Sequence, residues 1–344
     1  MPSFHEIFGQ GRPITILQSI LRTGNVPNAL LFTGEDGIGK RSAAMVFIQT
    51  LLCLSTVEAK EGINPCNTCL SCQKIQSGNH PDFLIVAPEK DEHSIKIDDI
   101  RAMQESVVFA PIDAKWKVIL IAPAERLTVQ AQNSLLKTLE DAPPYTVLIL
   151  IASKSGLLLP TLLSRCQKVP FSPLSLSQIE SILMEKKKWS ISNARLVAAF
   201  TGGKLGEALA IEMEAAREKE VALNLLVKEE TLSHYDTLFE MAKSHSVNIE
   251  TMERALYYLS AYFRDMLVML MLGVHAQDDT SSLVFSWRKE ELMRWANRMR
   301  AEEVIKFLAD ITAIEQTLSR NINKQLALET LLMQMRDKLS LEKI

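Results

Sequence analysis

Gly34-Glu-Asp-Gly-Ile-Gly-Lys-Arg-Ser42 is the stretch whose reading decides the fold. Before it lies a short apolar run, Ala29-Leu-Leu-Phe-Thr33, suited to a buried strand. After it, from Arg41 to Leu54, Ala44, Phe47, Ile48, Leu51 and Leu52 recur at helical spacing. Strand, glycine-rich turn and helix in that order make a phosphate loop, G-x-x-x-x-G-K-[ST]. In that motif backbone N–H groups wrap the phosphates, the lysine neutralises them and a hydroxyl ligates Mg²⁺. Gly34, Gly37, Gly39 and Lys40 supply the cradle, but Arg41 stands where the hydroxyl belongs. Nucleotide binding is therefore open: the cradle can hold phosphates weakly, or Arg41 can take the space and compete with Mg²⁺. A tight strand-to-helix turn with no ligand is the plain alternative.

A second departure concerns the acidic pair that an ATPase of this kind carries at the end of another apolar strand. The candidate strand is Val118-Ile-Leu-Ile121, and Ala122, Pro123, Ala124 and Glu125 follow it. Neither Ala122 nor Pro123 can bind metal or accept a proton. Glu125 is read as a solvated residue opening the next helix, with a displaced base as the competing reading. Without metal ligand and acidic pair, hydrolysis lacks most of its transition-state electrostatics. An ATPase fold with no ATPase activity of its own is expected.

The chain has 344 residues, 47% of them hydrophobic, enough for two or three cores. A net charge of -3 excludes a strongly basic nucleic-acid binder, though not a local basic face. No stretch reaches the roughly 18 apolar residues of a membrane span, and Met1-Pro-Ser-Phe-His-Glu-Ile-Phe8 has no signal core. A cytoplasmic protein with no membrane partner is expected.

All 13 prolines fall at or before Pro173. Because proline is strongly disfavoured inside helices, the proline-free second half reads as nearly continuous helix. In the first half, the apolar runs Phe83–Val86, Val118–Ile121 and Thr146–Ala152 alternate with helical stretches such as Val129–Glu140, which implies a mostly parallel α/β sheet. The expected organisation is an α/β phosphate-loop domain over 1–171, a small helical domain over 172–213 and an all-α domain over 214–344.

Four of the five cysteines, Cys53, Cys66, Cys69 and Cys72, form C-x12-C-x2-C-x2-C, within an insertion at about 53–72. Four thiolates suit tetrahedral Zn²⁺ in a closed structural site. A disulfide framework and a redox C-x-x-C pair are the competing readings, and Cys53 can equally be a buried free cysteine.

Further strings carry a resemblance. Gln132-Asn-Ser-Leu-Leu-Lys-Thr-Leu-Glu-Asp-Ala-Pro-Pro144, Thr146-Val-Leu-Ile-Leu-Ile-Ala-Ser153 and Leu158-Leu-Pro-Thr-Leu-Leu-Ser-Arg-Cys166 resemble the AAA+ subunits of the bacterial DNA polymerase III clamp loader. So do Phe8-Gly-Gln-Gly-Arg-Pro13, Pro27-Asn-Ala-Leu-Leu-Phe-Thr-Gly34 and Gly78-Asn-His-Pro-Asp82. The resemblance covers essentially the whole first domain. It implies an AAA+ fold with a helical lid and a C-terminal collar. The implied partners are gamma/tau and delta subunits, with the beta sliding clamp and primed DNA engaged through the complex. Motor subunits keep the loop hydroxyl, the acidic pair and a nucleotide-sensing arginine, and here Arg41, Ala122-Pro123 and Gly206 occupy those positions. The three losses fit the stationary, non-hydrolysing kind of subunit, and the resemblance then makes Arg165 an arginine finger offered to a neighbour's nucleotide, with pairing to a local carboxylate or a cap on the domain as the plain alternative. Leu256, Leu259, Phe263, Met266 and Leu267 are read either as collar packing or as ordinary core. Three further readings remain: an ATP-hydrolysing subunit of the gamma/tau type, an independent phosphate-loop enzyme such as a nucleotide kinase, and a zinc-stabilised DNA adaptor without a ring.

Overall fold

The computed structural model describes residues 3–59, 62–88, 93–272, 283–318 and 322–340. It divides into two units, Met1–Leu174 with Lys204–Gly206, and Ser175–Gly203 with Glu207–Ile344.

The first unit is built on a five-stranded parallel sheet. In chain order its elements are α1 (Gly11–Thr23), β1 (Ala29–Thr33), α2 (Lys40–Leu52), β2 (Val57–Ala59), β3 (Gly62–Asn64), α3 (Leu70–Gln76) and β4 (Phe83–Val86). There follow α4 (Ile97–Val107), β5 (Lys117–Ile121), α5 (Val129–Asp141), β6 (Thr146–Ala152), α6 (Pro160–Leu163) and β7 (Gln167–Pro170). The strand order is β4-β5-β6-β1-β7, and every pairing in it is parallel. The continuous apolar runs follow from burial on both faces. Along β1, β5 and β6 successive residues feed opposite cores. Leu30, Phe32, Val118, Leu120, Val147 and Ile149 join Phe47 of α2 on one side. On the other side Leu31, Ile119, Ile121, Leu148 and Leu150 meet Met103 of α4 and Leu135 of α5.

Sequence reasoning placed these strands but not β7 or the β2–β3 hairpin. It also ran the first long helix on to Leu54, whereas α2 stops at Leu52 and Cys53 is extended. Ser71 donates to the Leu52 carbonyl at 2.6 Å, which satisfies that helix end from within the cysteine insertion.

The second unit is helical among its described residues: α7 (Leu176–Lys186), α8 (Ile191–Phe200), α9 (Leu205–Ala210, whose first two residues belong to the first unit), α10 (Met213–Asn224), α11 (Glu229–Ser233), α12 (Tyr235–His245), α13 (Ile249–Leu272), α14 (Lys289–Ala296), α15 (Ala301–Thr317) and α16 (Lys324–Ser340). Long α13 is its centre. Leu256, Leu259, Phe263 and Met266 are fully buried within the chain itself, and Phe263 packs on Phe307 of α15 with ring centroids 4.2 Å apart. That settles the two readings of this helix face in favour of ordinary core, with Leu267 half-buried beside it. Among the described residues no helix is long and apolar enough to cross a membrane.

Candidate functional site

The loop between β1 and α2 has the backbone of a phosphate loop. Gly37 and Gly39 have φ of 76° and 99°, a region side chains rarely adopt. Any Cβ on Gly34 would stand 2.5 Å from the Phe171 carbonyl oxygen.

Lys40 begins α2 and is 5% exposed. Its Nζ donates to the carbonyls of Gly34 and Glu35 and, at 3.2 Å, to Ser153 Oγ. An ammonium has three N–H donors, so all three are committed inside the protein. Burial pushes the Lys40 pKa below its ordinary value, and the carboxylates of Asp36, Glu125 and Glu35 oppose that shift. Asp36 Oδ1 lies 3.7 Å from Nζ and accepts from Ser153 Oγ. Arg41 is exposed.

Glu125 is the residue sequence reasoning misjudged. It was read as solvated, yet the short turn Ala124–Arg126 brings it over the strand ends. There its Oε1 accepts from the Ser153 N–H at 3.0 Å, and its Oε2 is buried with no partner among the described residues. The positions where metal-binding acids are needed carry Ala122, which is 5% exposed, and Pro123. Gly206 donates its N–H to the Gly37 carbonyl at 2.8 Å, so backbone lies on backbone where the resemblance expects an arginine in a motor subunit.

Arg165 follows α6 on the surface of the same unit. Its Nε donates to Glu140 Oε1 at 2.8 Å, its Nη2 contacts the same oxygen, and its Nη1 donates to the Thr161 carbonyl at 3.0 Å.

The four insertion cysteines converge. Their sulfurs lie within 4.8 Å of one another, with Cys53 Sγ 3.6, 3.9 and 3.7 Å from those of Cys66, Cys69 and Cys72. Four thiolates about 2.3 Å from a tetrahedral zinc ion stand about 3.8 Å apart, so the donor set fits that metal. All four cysteines are free of disulfides. N–H groups of Cys66, Cys69 and Cys72 point at the sulfurs of Cys53, Cys66 and Cys69 at 3.4, 3.3 and 3.5 Å. Backbone donors at Thr68 and Cys69 hold the Cys66 thiol down to about 6, whereas burial pushes Cys72 up to about 12. Cys166 lies in the core beside α5 and α6, away from this cluster.

A family model described as DNA polymerase III, delta subunit matches residues 9–175. Across 213 residues the chain is 36% identical to DNA polymerase III subunit delta' of Bacillus subtilis, covering 62% of this chain and 61% of that protein. It is 33% identical to the Pseudomonas aeruginosa delta' subunit over 196 residues, 56% of this chain and 58% of the relative. DNA polymerase III subunit tau of Escherichia coli is 32% identical over 219 residues, which span 62% of this chain and 33% of tau. The match thus spans about six tenths of the length of the delta' relatives. Relatives named delta' and a relative named tau thus match the chain at similar identity.

Proposed function

We propose that the chain is a clamp-loader subunit of the delta-prime type, a stationary member of an ATP-driven ring that does not itself hydrolyse ATP. One observation carries this reading: every N–H of the loop lysine is spent on Gly34, Glu35 and Ser153. A phosphate arriving at Gly34, Gly37, Gly39 and Lys40 would have to displace those bonds, with no hydroxyl at Arg41 and no acid at Ala122 or Pro123 to hold Mg²⁺. The same point weighs against an independent nucleotide kinase.

In the proposed ring, residues 1–171 and 172–213 form the AAA+ module and 214–344 the collar. Arg165 extends to the γ-phosphate bound by a neighbouring gamma/tau subunit, where such arginines contribute on the order of 10³ to 10⁵ in rate. Delta is the other subunit partner, and the beta clamp and primed DNA are engaged through the assembled complex in the cytoplasm. Cys53, Cys66, Cys69 and Cys72 hold a structural zinc ion, which would fix the insertion between α2 and α3.

Reconstitution tests the reading. The purified chain is mixed with gamma/tau and delta, the complex is isolated after nuclease treatment, and Mg²⁺-dependent ATPase activity is measured for the chain alone and for the complex. A stable complex with activity confined to the assembled form supports the proposal. Robust hydrolysis by the isolated chain, abolished by Lys40→Ala, would overturn it in favour of an enzyme.

A further inference from the structure

Resting on the finger reading above, we infer that Glu140 is a positioning residue for Arg165, setting the plane of the guanidinium before a neighbour's nucleotide meets it. Both side chains are mounted on one rigid base. Glu140 is the penultimate residue of α5 and follows Leu139, while Arg165 lies between Leu162 and Cys166. Leu139, Leu162 and Cys166 share one hydrophobic cluster with Leu135. The Arg165 backbone is itself fixed, its N–H donating to the Leu162 carbonyl at 3.1 Å.

The guanidinium is gripped on two sides. Nε and Nη2 meet Glu140 Oε1 side-on, and Nη1 meets the Thr161 carbonyl. Those three contacts fix rotation about the last side-chain torsions, which in a free arginine are unrestrained. A guanidinium has five N–H donors, so among the described residues one N–H on each terminal nitrogen stays uncommitted. Two donors on a fixed plane suit bidentate recognition of phosphate oxygens. The side chains of Arg165 and Glu140 are 39% and 51% exposed. A pair so solvated contributes little to stability, and what it supplies is orientation.

Orientation has kinetic value, because a misplacement of about 1 Å at a reacting centre can cost about 100-fold in rate. The test uses rings reconstituted with gamma/tau and delta and carrying Glu140→Ala, Glu140→Gln, Arg165→Ala or the Ala pair. Steady-state ATP turnover is read as kcat and KM, with ring assembly measured by light scattering. With the ring intact, Glu140→Ala is expected to lower the rate at the adjacent site roughly tenfold, within that range, so that the ring's kcat loses most of that site's share, and to leave KM for ATP unchanged. Glu140→Gln keeps an oxygen for Nε and retains most of the rate, and Glu140→Ala adds nothing once Arg165 is alanine. A normal or raised kcat in Glu140→Ala, beside a defective Arg165→Ala ring, overturns the role of Glu140 and leaves the finger standing. So does a further loss in the double variant. A normal Arg165→Ala ring overturns the finger reading itself and this inference with it.

Discussion

Removing the carboxylate of Asp82 should cost the first unit a large part of its stability. Asp82 is 1% exposed, and it braces the loop that leads into β5. Its Oδ1 accepts from the Ile112 N–H at 2.7 Å, and its Oδ2 accepts from Asp113 and Ala114 at 2.7 and 2.9 Å. Its own carbonyl accepts from Val118, continuing the pairing of β4 with β5. Hydrogen bonds to a charged acceptor contribute about 1.5–3 kcal/mol each. The three share one carboxylate, and the amides of the exposed residues Ile112 and Asp113 can recover some water, so the sum is not additive. We expect about 3–5 kcal/mol for Asp82→Ala, against a typical domain stability of about 5–15 kcal/mol. Asp82→Asn keeps one oxygen and turns an NH₂ toward one N–H, so a smaller loss of about 1–3 kcal/mol is expected. Urea unfolding followed by Trp116 fluorescence reads the first unit, and hydrogen exchange at Ile112, Asp113 and Ala114 reads the brace itself. An alanine variant within about 1 kcal/mol of wild type, with those amides still protected, would refute the reasoning.

Three other outcomes are expected. Protein purified without chelator should carry one zinc ion per chain, and Cys69→Ser with Cys72→Ser should lose it; metal analysis checks both. Because the ligands bind as thiolates, zinc retention should weaken as pH falls. His80 gives a second pH effect: its Nδ1 accepts from the Asp82 N–H at 3.1 Å, while Nε2 faces Ser71 Oγ at 3.0 Å, and Ser71 donates onward to Leu52. This chain requires a neutral imidazole, and burial lowers the His80 pKa below its ordinary value, opposed by Asp82 and Asp113 and aided by Lys74. The unfolded state then binds more protons, so the His80 contribution is present above about pH 6.5 and is lost as pH falls below it. A His80→Gln variant, measured by thermal unfolding between pH 5 and 8, should show a shallower decline on the acid side.

Much of this was legible in the sequence because the central strands are buried on both faces. Ala29–Thr33, Phe83–Val86, Val118–Ile121 and Thr146–Ala152 stand out as unbroken apolar runs, and the proline-free second half reads correctly as helix. β7 has no such signal: Gln167-Lys-Val-Pro170 is a short edge strand in which only Val169 is buried. The phosphate loop and the cysteine spacing were visible because their chemistry is local. What stayed hidden depends on residues far apart in the chain. Glu125 looks like an ordinary helix opener until Ser153 meets it across 28 positions. Asp82 lies in a string that resembles clamp-loader subunits, but its partners begin 30 residues later. Glu140 is one acid in Leu139-Glu-Asp141, and only the fold brings it to Arg165.

In the proposed arrangement this chain lends an arginine to a neighbour's nucleotide while hydrolysing none itself. The most direct measurement is the ATP turnover of a reconstituted ring in which only this chain carries Arg165→Ala. An assembled ring is expected in which clamp loading falls by tenfold or more and the DNA-stimulated ATPase loses the share contributed by the adjacent site, since arginine fingers contribute on the order of 10³ to 10⁵ at a single site and other sites in the ring keep their own. An assembled ring that turns over ATP and loads clamps at the wild-type rate would contradict it.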